Sequence, residues 1–189
     1  MPTEQISSLI SEQIPHFTED QIQAFTKEQI YWLIYIQIQA LTPQQIPVFT
    51  KEQIEKFTSE QIPFFNEKQI QTLTETQILS LTTEQITWFT KKQTQTFTKE
   101  QISAFTKEQI QALTPQQITY FMDTQIPYSN EKQIPWFTTE QIQALTPTQI
   151  SVFTSKQVLA IAEEQIPYFN KKNQSIYTHT NWVIYRRTN

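Results

Sequence analysis

The sequence predicts an all-α solenoid of very short α or 3-10 helices, one per eight residues. Three observations predict it. Glutamine recurs at every eighth residue from Gln5 to Gln165, 21 times with no exception, so no insertion breaks phase and the repeats pack on one another. Three residues before it stands Thr in 14 repeats, or Asn (Asn66, Asn130), which is the spacing of a helix start. The 189 residues contain no glycine, so every turn must be made at negative φ.

The consensus is T-x-x-Q-I-x-x-F/L, and each position has a physical role. The Thr hydroxyl can accept from the Gln backbone N–H while the Gln side chain reaches back to the Thr N–H, a capping box. Pro43, Pro115 and Pro147 follow the Thr directly, at the first helical position, where a missing N–H costs nothing. Ile follows Gln in 19 repeats, and Phe or Leu comes three residues later in 19, so the pair shares one helical face and forms the buried stripe.

One long helix is excluded, because eight residues advance about 80° past two whole turns and the stripe would spiral off any core. Strands are disfavoured, because residues three apart point to opposite faces of a sheet. In six repeats proline follows the Ile (Pro15, Pro47, Pro63, Pro127, Pro135, Pro167), which removes a helical hydrogen bond and limits the helix there to about one turn, with a second short turn after it. A unit this small cannot bury its own apolar face. It must stack on its neighbours, which is the logic of a solenoid.

Glu would cap as well as Gln, yet Glu never takes this position. A stacked row of amides, each donating to the next, or another buried role for the amide would explain the preference; recent tandem duplication is the alternative. A weaker echo appears at 32 residues: Leu9, Leu41 and Leu73 recur at that lag, as do Trp32 with Phe64, Trp88 with Tyr120, and Trp136 with Tyr168. It fits four octads per geometric period, two coils of two octads, or a 32-residue duplication. Two octads per coil is the preferred count. The octads span 1–169 as one solenoid, and 170–189 turns basic (Lys171, Lys172, Arg186, Arg187) and is expected to cap the exposed end of the core or to form a tail.

Candidate functional positions are those where the consensus fails. In YWLIYIQIQAL, Ile34 replaces the capping Thr, and Tyr35 and Ile36 replace the usual polar pair. With Tyr31 and Trp32 they form an apolar patch, either a partner or self-association site or a surface packed under a cap. In FMDTQIPYSN a cap is lost at Met122 and a core anchor at Ser129, which predicts a local bend or a drifting repeat rather than a site. The position just before each Phe or Leu carries Trp32, Phe64, Trp88, Tyr120, Tyr128, Trp136 and Tyr168. Half-buried, these rings fill gaps between coils; exposed, they make a discontinuous binding face.

Composition narrows the chemistry. Without glycine there is no phosphate-cradling loop, and without cysteine no disulfide or thiolate metal site. The two histidines, His16 and His179, lie at opposite ends of the sequence, and no nucleophile–base set is recognisable. No cofactor and no catalytic or metal-binding residue is expected, and the chain is read as a non-enzyme. A net charge of −4 disfavours a nucleic-acid surface. No window approaches the ~18 apolar residues of a membrane span, and the start lacks the pattern of a signal peptide. Cytoplasmic residence, or export by a non-classical route, is the expectation.

In its consensus, as in TKEQIQAL and TPQQITYF, the chain resembles octapeptide tracts of large bacterial surface or secreted proteins (LTxxQVxxL-like). The resemblance implies a repetitive structural or interaction region and carries no catalytic residues. LTPQQI and KQVLAIA are also loosely similar to the opening helix of TAL-effector repeats, which implies a capped helix start; the base-reading loop of those repeats has no counterpart here. The expected function is therefore a non-catalytic scaffold or spacer binding an unknown protein partner or itself. The alternatives are an ice- or surface-binding threonine array and a nucleic-acid mimic or binder.

Overall fold

The computed structural model describes residues 6–172, and among them every regular element is a helix and none is a strand. The octad is realised as expected: Thr18 caps Glu19–Gln23, Thr26 caps Lys27–Tyr31, Thr50 caps Lys51–Ile54, and so on along the chain. The chain divides into two compact units, Met1–Phe97 and Thr98–Asn189. Residues 173–189, which hold most of the expected cap, lie outside the described residues.

The corners explain the missing glycine. After each short helix the Phe or Leu and the next Thr are both extended, as at Leu81 (φ −63°, ψ 131°) and Thr82 (φ −70°, ψ 160°). Two such residues turn the chain without a left-handed conformation, and among the described residues none has positive φ. Proline then selects the helix type. Where it follows the Ile, the segment is a 3-10 helix, as in Ser11–His16, Ile46–Val48, Ile62–Phe64, Asp123–Tyr128 and Ile134–Trp136. Pro167 is the exception, because it stands in the first turn of Ile166–Lys172, where its missing N–H breaks no helical bond.

The coil is larger than the sequence suggested. Each buried Gln side chain reaches carbonyls 31 and 28 residues back, as Gln69 does to Ile38 and Leu41, so one turn closes in just under four octads and not in two. The physical reason is the stripe. Four edges surround an interior wide enough for the Ile and Phe of the consensus stripe to point inward, and consecutive octads bring their rings edge to face there. Phe49 meets Phe57 at 5.4 Å and Phe57 meets Phe65 at 5.0 Å. In the second unit Phe153 and Phe169, two octads apart, meet at 5.8 Å.

Ser129 is the one serine at a Phe/Leu position, and a cavity of about 30 Å³ lies beside it, lined among others by Phe105, Leu113, Phe121 and Phe137. Ser129→Leu is expected to fill it and to stabilise the second unit by about 1 kcal/mol. Thermal unfolding checks this: a midpoint raised by a few degrees is the expected result, and a lowered one would mean the site cannot take the larger side chain.

Candidate interaction surface

The invariant Gln serves two structures at once. Its Oε1 accepts from the N–H of its own capping residue at 2.7–3.0 Å. Its backbone N–H donates to the cap hydroxyl at 3.1–3.3 Å. Its Nε2 donates to two backbone carbonyls of the preceding coil, those of the Ile and of the Phe or Leu, at 2.6–3.1 Å. The row runs unbroken from Gln37 to Gln93 in the first unit. In the second it runs from Gln133 to Gln165. The amides therefore bond to helix-end carbonyls and not to one another, which corrects the stacked-amide expectation. Helix ends leave orphan carbonyls, and here the next coil satisfies them.

Four described repeats lack a polar cap side chain, at Ile10, Ile34, Met122 and Ala162, and only half of each box survives. The Gln still accepts from the cap N–H, at 2.9–3.0 Å. Losing a Thr cap costs about 1 kcal/mol, so Ile34 is a local sacrifice of stability. Its surroundings are unusual too. Tyr31, Trp32, Ile34, Tyr35 and Ile36 are all exposed, Trp32 by 53% and Tyr35 by 49%. The rings brace each other: Tyr31 packs edge-on to Trp32 at 5.5 Å, and Tyr35 lies against Phe64 of the next coil at 5.1 Å.

Phe64 is exposed as well and joins the patch through Tyr35. Exposed Ile10 is a member that sequence reasoning missed; it caps Ser11–His16, which packs against Tyr35–Ala40. Its signal was an apolar cap residue three octads before Ile34. Trp88 in the first unit, and Tyr120, Tyr128, Trp136 and Tyr168 in the second, are each half-buried.

Outside the patch Leu79, Met122 and Leu159 are exposed singly, and the caps and first turns are polar. The Thr hydroxyls that cap are occupied by backbone N–H groups. Glu28, Glu52, Glu100 and Glu140 accept from their own backbone N–H and then from the cap hydroxyls of Thr26, Thr50, Thr98 and Thr138, which hold their carboxyls below the ordinary 4.5. A depressed value favours the folded state above that range, and the contribution is lost as pH falls through it. Lys neighbours mix the charge, with Lys92 paired to Glu67 at 2.7 Å.

Among the described residues no group of three or more His, Cys, Asp or Glu side chains is placed to hold a metal ion, and no helix is long and apolar enough to cross a membrane. Compared with protein families, curated proteins and solved structures, the chain matches none of them.

Proposed function

We propose that the chain is a non-catalytic repeat scaffold or spacer that mediates protein–protein contact, with Tyr31, Trp32, Ile34, Tyr35, Ile36 and Phe64 as its contact surface. The observation that carries this reading is the gathering of exposed apolar side chains, with Ile34 where most octads have Thr, and Tyr35 and Ile36 where most have a polar pair. Contiguous apolar patches of this kind mark interaction sites, and Trp and Tyr dominate binding energy at interfaces. The rings are held by one another and by a rigid coil, so little order is lost on binding. The resemblance to octapeptide tracts of bacterial surface proteins supports the same reading.

The test places a photo-crosslinking amino acid at Leu79, which is exposed away from the patch in sequence, and at Tyr35, in the native host. A partner captured from position 35 and not from 79 is purified and titrated against the chain. Trp32→Ala with Tyr35→Ala is expected to weaken binding about 100-fold or more. A partner that binds the double variant as tightly as the parent would sink the reading, as would the absence of any position-specific crosslink.

A further inference from the structure

The contact surface around Trp32 and Tyr35 is large for a single chain and carries no charge. Its four rings keep 39–56% of their surface in water, and Ile34 and Ile36 keep 43% and 42%. With about 150–250 Å² to a ring, the patch amounts to roughly 500–600 Å² of apolar surface, the upper end of what a monomer exposes. Charge stands on either side of it in the chain. Glu28 lies one helical turn before Trp32, and Lys68 lies four residues beyond Phe64; both are exposed. Glu67, beside Lys68, is already paired with Lys92.

We infer that this patch is covered by the same patch of a second copy of the chain, in a closed two-fold dimer. The inference rests on the reading of this surface as a contact site and names its partner. Two observations select a second copy. The first is area. Patch on patch buries about 1,000–1,200 Å², which reaches the roughly 1,000 Å² that a specific contact needs. The second is charge. An uncharged centre lets like face like without repulsion, and it offers a foreign partner no charge to match. In a two-fold contact residue i meets residue j of the other copy and j meets i, so Glu28 comes to Lys68 twice over. The rings are braced before the copies meet, Tyr31 against Trp32 and Tyr35 against Phe64, so little order is lost on docking.

The test is sedimentation velocity on the full chain from about 1 µM to about 300 µM. The parent is expected to pass from monomer to dimer, with a dissociation constant of about 1–100 µM, and to stop there. Trp32→Ala with Tyr35→Ala is expected to weaken the dimer about 100-fold or more, while circular dichroism and the thermal midpoint stay near the parent values. Glu28→Lys sets lysine against lysine at both flanks, and Lys68→Glu sets glutamate against glutamate. Each alone is expected to dimerise about 10-fold more weakly, and the two mixed in equal amounts are expected to associate at parent strength. A parent that stays monomeric, a mass that grows past the dimer, or a dimer indifferent to Trp32→Ala with Tyr35→Ala would each overturn the inference. Charge variants that associate no better mixed than apart would overturn it too. The contact reading is decided separately, by what position 35 captures in the host: a captured protein other than this chain keeps that reading even where a monomeric parent overturns the dimer.

Discussion

Gln69→Glu is expected to cost about 3–5 kcal/mol and to lower the unfolding midpoint by ~10 °C. Gln69 is fully buried, its Oε1 accepts from Asn66 at 2.7 Å, and its Nε2 donates to Ile38 and Leu41 at 2.8 and 2.6 Å. Glutamate has the same shape and caps equally well, so the capping half of the role survives. The donating half is reversed, because a carboxylate oxygen now faces two carbonyl oxygens with no proton between them and no water to screen them. The penalty is pH-dependent in a way that a lost cap would not be. Burial beside two carbonyls raises the folded-state value of the new carboxyl above its unfolded one. The penalty is therefore absent below the unfolded value, grows as pH rises between the two, and is complete above the folded value. Gln13→Glu is the control, since that side chain is exposed and reads no coil; its cost is expected to stay within about 0.5 kcal/mol. Urea and thermal melts of the two variants across pH decide the matter. Equal effects at Gln13 and Gln69 would mean that capping alone explains the residue.

The contrast also marks where sequence reasoning stops. Thr26 and Gln29, or Asn66 and Gln69, sit three residues apart, and a contact of that reach is set by local backbone geometry. It is legible without knowing the fold. So is the inward stripe, and so are the corners at negative φ, because glycine was never there to do otherwise. The partner of the Nε2 group is a different kind of fact. Every octad offers the same Ile and Phe/Leu carbonyls, so the consensus is equally consistent with stacking at any multiple of eight. Only the choice of Leu over Phe and the variable position before it break that degeneracy. The lag from Trp32 to Phe64 echoes the true coil, in which Tyr35 lies against Phe64. The lag was visible; choosing two octads over four required knowing how much interior the Ile and Phe side chains need. The patch was half legible for a similar reason. An apolar residue at a cap position, such as Ile34, is conspicuous in the chain, but whether Trp32 is exposed and Trp88 half-buried depends on the coils above and below.

Deleting one whole octad, Thr82–Phe89, is expected to leave a folded protein with its midpoint within ~3 °C of the parent, whereas deleting Thr87 alone is expected to lower the midpoint of the first unit by more than ~10 °C. The reasoning follows from how the coils read each other. With eight residues gone, Gln93 stands 31 and 28 residues after Ile54 and Phe57 and inherits the carbonyls that Gln85 now reads. Every later octad shifts by one place and meets backbone carbonyls in the same phase, with Ile and Phe or Leu at those positions in all but a few octads. The interior loses one Ile–Phe pair and the edge that held it together, so packing against neighbours is conserved and the stack is shorter by one unit, as nearest-neighbour repeat energetics requires. With one residue gone there is no such solution. Either seven residues must span an edge that eight span, breaking the Thr83–Thr87 helix and its corner, or every later Gln must meet the wrong backbone groups and turn its Ile away from the axis. Far-UV circular dichroism with thermal melts on the two deletions gives the answer. Comparable losses from both would mean that the 32-residue echo, and not the octad, is the unit the coils recognise.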